Sequence, residues 1–259
     1  MGRKLSVLVL MSVLIFLFSV PALCAINEAG IFFIKGSPLY SQNTKTFYGG
    51  EFQFFHGRRS FYLNISERLV VKQNPSGIGN FDADFFKAEI ETSIWRFFVA
   101  NFSLNLYRET EELCPFNQPR TIVLVDKWYK NEITVGIGAK IGRYDKSYIS
   151  LTGILGNSFR GHTEDLKFLD TKLYYFDSSR IIGVSIKGRY GFKIVIPVRI
   201  DLRGDYYYLR DRKYVIEFAT SLGIEVAKHL GIKGGAAVIN IKDTSHFVAR
   251  YFVGLVWIF

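Results

Sequence analysis

The sequence has 259 residues, 49% of them hydrophobic and 16% aromatic, and its formal net charge is +10 at pH 7. That length allows one β-barrel or one to two ordinary domains, and the aromatic share suits a barrel better than a soluble protein. Beyond residue 25 no apolar run approaches the ~18 residues of a membrane-spanning helix, which argues against a helical membrane protein. The basic charge favours nucleic acid, anionic lipid or anionic solutes as partners.

The first residues have the organisation of a secretory signal peptide. Two basic residues precede an apolar stretch at 5–20, Pro21 interrupts it, and the segment ALCA at 22–25 offers a cleavage site. We therefore predict a signal peptide at 1–25 and a single domain at 26–259. Export argues against nucleic acid as a partner and leaves lipid phosphates or an acidic solute.

Runs of about ten alternating residues, each followed by a turn, recur along the rest of the chain. In the run at 98–106, Phe, Ala and Leu share one face, whereas Asn, Ser and Val share the other. The run at 132–142 places Ile, Val and Ala on one face and Thr, Gly and Lys on the other. Apolar residues on one side and polar or small residues on the other are typical of a strand between lipid and a lumen.

Counting these runs predicts about twelve strands, with ten to fourteen possible. Fourteen would require the segment 166–176 to form a separate strand pair. Pro197 falls within the run 192–203 and predicts a bulge there, because proline cannot donate to a strand ladder. Short turns and longer loops alternate, apart from the short turn at 242–245. The turns are expected at 57–59, 95–96, 143–146, 188–191 and 227–229, and the loops at 37–45, 72–80, 109–129, 157–179 and 204–212.

The last fourteen residues, 246–259, alternate strictly and end on an aromatic residue. Gly254, Trp257 and Phe259 in this ending resemble the C-terminal assembly signal of bacterial outer-membrane β-barrels. The resemblance implies an antiparallel transmembrane β-barrel in the outer membrane. It also implies membrane lipid, lipopolysaccharide and the barrel-assembly machinery as partners. The alternative, a strand of a soluble sandwich, would seldom carry apolar residues on both faces as this strand does.

The face opposite the apolar one carries many charged residues, with more bases than acids. We expect the following residues to line the lumen: Arg68, Lys87, Glu89, Glu91, Lys140, Lys187, Arg199, Glu217, Glu225 and Arg250. A cationic lining attracts anions, and inward glycines and serines favour an open path. The lining therefore predicts a small, monomeric, porin-like channel with a mild preference for anionic solutes. In the alternative, paired acids and bases fill a narrow lumen as a plug.

Two other functions stay open. A lipid hydrolase would need a nucleophile beside a histidine and an acid, and Ser158, His162, Glu164 and His246 are the weak candidates; an enzyme is less expected than a channel. A structural or adhesive barrel would use the long loops, where Arg160, Lys167, Lys172, Arg210, Arg212 and Lys213 could bind lipopolysaccharide phosphates. Four scattered histidines and one loop cysteine predict no metal site, and we expect no cofactor.

Overall fold

Twelve strands dominate the computed structural model, which describes residues 26–41, 46–73, 79–114, 122–167, 169–193, 195–209, 214–241 and 247–259. The predicted signal peptide at 1–25 and His246 lie outside these ranges. The strands are β1 (Ile26–Gly36), β2 (Phe47–Gly57), β3 (Phe61–Gln73), β4 (Gly79–Ser93), β5 (Phe98–Leu113), β6 (Leu124–Gly142), β7 (Tyr148–Leu166), β8 (Thr171–Lys193), β9 (Pro197–Leu209), β10 (Tyr214–Ala227), β11 (Leu230–Ile241) and β12 (Phe247–Ile258).

Each strand pairs antiparallel with its neighbours in the sequence, and β1 pairs with β12 to close the barrel. The register of the closing pair begins with Glu28 opposite Ile258. Backbone hydrogen bonds between Asn27 and Phe259, at 3.2 and 3.0 Å, extend it by one residue. Closure pairs the backbone groups that an open sheet would expose at its edges. The predicted twelve-stranded antiparallel barrel is confirmed within the described ranges.

The outward side chains form an apolar belt around the barrel, as the alternation predicts. In β12, Tyr251, Val253, Leu255 and Trp257 are exposed, whereas the intervening Val256 is buried against the interior. The other strands repeat this arrangement, for example with Ile133 and Ile137 in β6. In the part of the chain that the structure describes, no helix is long and apolar enough to cross a membrane.

The barrel has two different ends. Residue 26, the carboxyl terminus and the connections β2–β3, β4–β5, β6–β7, β8–β9 and β10–β11 lie at one end, called the turn end below. The other six connections lie at the opposite end, called the loop end. An even number of strands brings Phe259 back to the end where β1 begins.

Three predicted loops lie largely in strands. One is 204–212, where β9 continues to Leu209, so this expected loop was wrong up to that residue. Residues 157–166 complete β7 and residues 171–179 begin β8, so the expected loop at 157–179 was wrong. The expected loop at 109–129 was wrong as well, since β5 continues to Leu113 and β6 begins at Leu124. The physical reason is that a strand that continues beyond the apolar belt has water on its outer face. It therefore loses the apolar-out pattern by which strands are recognised.

These continuations form an extension of the sheet at the loop end, called the outer ribbon below. It consists of residues 108–113 of β5, 124–131 of β6, 160–166 of β7 and 171–180 of β8. In the outer ribbon, β8 pairs with β7 alone, because its pairing with β9 starts at Ile181. The segment 166–176 therefore lengthens two existing strands and adds no further pair.

Two local predictions at the turn end were also wrong. The expected turn at 188–191 lies within β8, which continues to Lys193. Pro197 is the first residue of β9 and not a mid-strand bulge. The first position of a strand is one that proline occupies without loss of a ladder hydrogen bond.

A substitution at Gly183 tests how closely the backbones of β8 and β9 approach each other. A Cβ atom there would lie 2.3 Å from the carbonyl oxygen of Tyr206 and 2.5 Å from Cβ of Tyr207. We expect Gly183→Ala to lower the free energy of unfolding by about 1–3 kcal/mol, because the added methyl overpacks this contact. Urea unfolding in detergent micelles measures the change.

The matched control is Gly153→Ala on β7. The nearest atom to a Cβ at Gly153 is the carbonyl oxygen of Ile137, at 3.8 Å. This variant should change the free energy of unfolding by less than about 0.5 kcal/mol. A Gly183→Ala barrel as stable as this control would contradict the packing.

Candidate functional site

Ion pairs cross the lumen near the turn end. Arg189 on β8 reaches over to Glu28 on β1, with 2.9 Å between Nη1 and Oε1, and its Nε lies 2.6 Å from Oδ1 of Asp201. Arg199 shares the Glu28 carboxylate, and Lys233 lies 2.7 Å from Asp201. Glu28 and Arg189 are both buried. These five residues therefore connect opposite walls of the barrel.

A second set of ion pairs lies on the wall formed by β4. Glu89 binds Lys187 of β8 and Arg203 of β9, both from the opposite wall. Glu91 lies 3.3 Å from the same Lys187 ammonium and accepts a hydrogen bond of 2.7 Å from the Tyr144 hydroxyl. Neither Glu89 nor Glu91 is more than 1% exposed. The carboxylates are therefore fully enclosed by cations and hydroxyl donors.

Aromatic rings fill the space beside these charges. Phe55, Tyr62 and Tyr144 form a buried cluster, and Tyr148 packs against it. The Arg189 guanidinium lies 3.7 Å from the centre of the Phe55 ring, a cation–π contact. Polar and aromatic groups thus occupy the lumen together near the turn end.

At the loop end, the connection after β1 folds into the barrel. The backbone amides of Leu39, Tyr40 and Ser41 donate hydrogen bonds to the Glu109 carboxylate, those of Tyr40 and Ser41 at 2.9 and 3.0 Å. The Ser41 hydroxyl donates to Glu111 at 2.7 Å. Both acids are on β5, inside the predicted loop 109–129. This connection therefore narrows the mouth of the barrel.

Apolar clusters complete the filling of the loop end. One contains Ile154, Ile181, Tyr207, Leu209 and Val215, and Leu39 of the inward-folded connection packs against it. Another contains Ile34, Phe47, Val70, Phe81 and Ala83. Buried apolar side chains inside a barrel exclude water just as a soluble core does.

Cavities remain between these layers. One of about 380 Å³ opens at the turn end, one of about 170 Å³ lies mid-lumen, and one of about 70 Å³ lies near the loop end. Lys87 and Arg250 line the last two. Neither side chain has an ion pair with a described residue within 4.0 Å. They are therefore basic groups that line these cavities without a described carboxylate partner.

The structure places the ten residues assigned to the lumen on the inner face of the barrel. Five of them form ion pairs: Arg68, Glu89, Glu91, Lys187 and Arg199. The other five, Lys87, Lys140, Glu217, Glu225 and Arg250, do so with no described residue. Sequence reasoning missed Glu28, which precedes the first alternating run, and Glu109, Glu111 and Asp205, which were assigned to loops. Continuing the alternation of each strand by a few residues would have placed them inside.

The structure does not assemble the hydrolase candidates. Ser158 is fully buried, and its hydroxyl donates to Glu132 at 3.4 Å. His162 lies four residues further along β7, about 13 Å away at the rise of a strand. Glu164 is near His162, at 3.6 Å. In the described chain, no nucleophile–histidine pair forms from these residues.

An aromatic row crosses the inner face of the outer ribbon. Trp128 on β6 is opposite His162 on β7, which is opposite Tyr175 on β8. The ring centroids are 5.0 and 5.7 Å apart and the rings are nearly parallel. Stacked rings on neighbouring strands contribute to sheet stability.

An acidic row lies next to the aromatic row, on the side toward the tip of the outer ribbon. Glu111, Asp126 and Glu164 are directly opposite one another on β5, β6 and β7. The imidazole of His162, in the aromatic row, contacts the acidic row, with its Nε2 3.4 Å from Oδ1 of Asp126. Burial raises the pKa of the Asp126 carboxyl, while His162 lowers it and Glu164 raises it. The predicted loop at 109–129 concealed this row, because Asp126 had no assigned neighbours.

No protein-family model and no curated protein match the chain. Among solved structures, it is similar to the β domain of the Bordetella autotransporter Brka, at 8% identity and a TM-score of 0.53, over 91% of this chain and 100% of that one. It is also similar to the translocator domain of the autotransporter NalP from Neisseria meningitidis, at 8% identity and a TM-score of 0.54, over 99% and 96%. At these identities the likeness is one of fold. The chain has the fold of a bacterial outer-membrane β-barrel.

Arg189 tests the ion pairs across the lumen. We expect Arg189→Ala to lower the free energy of unfolding by about 3–5 kcal/mol, because it leaves the Glu28 and Asp201 carboxylates without this buried cation. Urea unfolding in detergent micelles, followed by tryptophan fluorescence, measures the loss.

Arg108→Ala is the control, since Arg108 on β5 pairs with Asp84 on β4 and the two side chains are 39% and 37% exposed. An exposed pair of this kind contributes about 0–1 kcal/mol. Equal losses in the Arg189 and Arg108 variants would contradict a stabilising role for the lumen pairs.

Proposed function

We propose that this protein is an exported outer-membrane β-barrel whose lumen is closed to solutes and which acts through the outer ribbon. Its turn end faces the periplasm, where Gly254, Trp257 and Phe259 serve as the assembly signal. Trp257 and Phe259 are exposed on the outer face of the barrel, where another protein or lipid can contact them. The barrel works as a monomer, since each of its strands already has two partners within the chain.

The observation that carries this proposal is the set of ion pairs that cross the lumen. Arg189 binds Glu28, and Lys187 and Arg203 bind Glu89, in each case between opposite walls. To open a path, these buried pairs would have to separate, and an unpaired buried charge is strongly unfavourable. Pairing also neutralises much of the basic lining that the sequence suggested for attracting anions. The plugged alternative is therefore favoured over the open channel.

The outer ribbon supports a role at the cell surface. About 9–11 residues suffice for a strand to cross a bilayer, and β8 has 23 residues. Its first part carries Tyr174 and Phe176, which are 74% and 77% exposed on the outer face of the sheet. Lys172 on the same face and Lys167 beside it are about half exposed. Aromatic and basic groups together suit contact with the sugars and phosphates of lipopolysaccharide. Arg210, Arg212 and Lys213 lie outside the described residues.

An ion-conductance measurement tests the closed lumen. In a planar bilayer we expect no steady openings from the wild type. The double variant Glu28→Gln, Glu89→Gln should open intermittently and favour anions, because it frees the cations that these carboxylates hold. Asp165→Asn, a change at an exposed ion pair of the outer ribbon, is the control and should stay closed.

Steady conductance of the wild type would contradict the closed lumen and favour the second candidate, a porin-like channel for anionic solutes. Lys87 and Arg250 support that candidate, because they line two cavities without a described carboxylate partner. The double variant Lys87→Gln, Arg250→Gln should then reduce the anion preference, measured as the reversal potential under a salt gradient.

Surface binding tests the outer ribbon. Deleting residues 163–174 joins His162 directly to Tyr175, its opposite residue in the register, and so shortens β7 and β8 without shifting their pairing. Vesicles that carry this variant should bind a lipopolysaccharide-coated surface several-fold less than wild-type vesicles. The barrel should remain folded, as judged by its heat-dependent migration in a denaturing gel. Unchanged binding by a folded, shortened barrel would rule out this role.

A further inference from the structure

The inner face of the outer ribbon holds a cluster with the composition of a metal site. One nitrogen of His162 and one carboxylate oxygen each from Asp126 and Glu164 lie within 4.8 Å of one another. We propose that these three residues bind a divalent transition-metal ion, with Zn²⁺ as the best-suited ion. The inference depends on the fold of the outer ribbon, and it does not depend on whether the lumen conducts.

The distances in the cluster fit metal ligands better than hydrogen-bond partners. Nε2 of His162 lies 3.4 Å from Oδ1 of Asp126, and the other ring nitrogen, Nδ1, lies 3.6 Å from Oε1 of Glu164. One ion can bind only one of these nitrogens, and Nε2 is the one beside Asp126. Hydrogen bonds between charged groups are shorter, about 2.7–2.9 Å. Nitrogen and oxygen ligands at about 2.0–2.2 Å from a tetrahedral Zn²⁺ are about 3.4 Å apart. The spacing between His162 and Asp126 already matches that value.

Two of the ligand atoms lack a hydrogen bond. Oδ1 of Asp126 and Nε2 of His162 are inaccessible to solvent and have no hydrogen-bond partner in the structure. Buried polar atoms are nearly always paired, whereas these two lie 3.4 Å apart without a hydrogen bond of good geometry. A cation coordinated by both atoms would satisfy both.

The charges around the cluster also favour a cation. Glu111, Asp126 and Glu164 are directly opposite one another on three adjacent strands, and like charges in that arrangement are destabilising. Arg160 is on the same face of the sheet, but it lies on the membrane side of the aromatic row, whereas the acidic row lies on the other side. Ser41 donates one hydrogen bond to Glu111, which leaves the Asp126 and Glu164 carboxylates for the ion.

The ligand types narrow the choice of metal. One imidazole and two carboxylates suit Zn²⁺ or a similar divalent ion, whereas Mg²⁺ prefers oxygen ligands alone and Cu⁺ prefers sulfur. Three protein ligands leave a fourth coordination position for a water molecule. The two strands that carry the ligands are paired in register throughout the outer ribbon, so the ligand positions are fixed before the ion binds.

The test uses the full chain folded in detergent micelles, freed of metal with a chelator that is then removed. Zn²⁺ is added in competition with a chromogenic chelator, and we expect one ion bound per barrel. Asp126→Asn and His162→Gln should each weaken binding at least tenfold while heat-dependent gel migration shows that the barrel stays folded. His229→Gln, which changes a histidine at the turn end, is the control and should bind Zn²⁺ as the wild type does.

A second measurement reports the position of the ion. Cu²⁺ quenches nearby tryptophan fluorescence, and the Trp128 ring lies 5.0 Å from the His162 ring. Saturating Cu²⁺ should quench the tryptophan fluorescence of the wild type and not that of the Trp128→Phe variant, which keeps Zn²⁺ affinity within about twofold.

A wild-type barrel that binds no Zn²⁺ would overturn the site. Unchanged Zn²⁺ affinity in the Asp126→Asn and His162→Gln variants would overturn it as well. Neither result would bear on conductance or on lipopolysaccharide binding.

Discussion

The fold depends on one constraint, the need to pair every backbone amide and carbonyl group where no water is available. In a bilayer, a sheet meets this constraint only when its first and last strands pair. The pairing of β1 with β12 does so here, and the carboxyl-terminal residue itself exchanges backbone hydrogen bonds with Asn27. Once the sheet is closed, each residue faces either the lipid or the lumen. Successive residues of a strand face opposite sides, so apolar and polar residues alternate along the strands.

Closure with twelve strands also determines what the lumen can contain. The interior is narrow enough for Arg189 on β8 to reach Glu28 on β1, and for Arg203 on β9 to reach Glu89 on β4. Long basic side chains can therefore bind acids on the far wall, not only those on neighbouring strands. Such pairs are weak at a protein surface, but removing one partner in a buried site is costly. The inward basic residues suggest a pore when only the sequence is considered. In the narrow barrel they pair with acids on the far wall, which favours a closed interior.

The sequence is informative where lipid restricts it. The strand count and the outward residues of β12 could be predicted because the outer face must be apolar over a fixed thickness. Above that thickness the rule no longer applies, and the segments 109–129 and 157–179 were therefore assigned to loops. The partners across the lumen were not predictable either. Arg189 and Glu28 are 161 residues apart, and pairing between opposite walls depends on the diameter and stagger of the closed barrel.

In the outer ribbon, the strand register must be fixed by something other than the contrast between a lipid-facing and a lumen-facing side. Strands with polar residues on both faces are prone to slip, because a shift in register moves no apolar side chain away from a buried face. Here the stacked rings of Trp128, His162 and Tyr175 hold three strands in one register. The acids beside them do the opposite, because Asp126 and Glu164 repel each other across the same two strands. A row that opposes the pairing it lies in is not explained by folding, and it is better explained by a cation that the outer ribbon is built to hold.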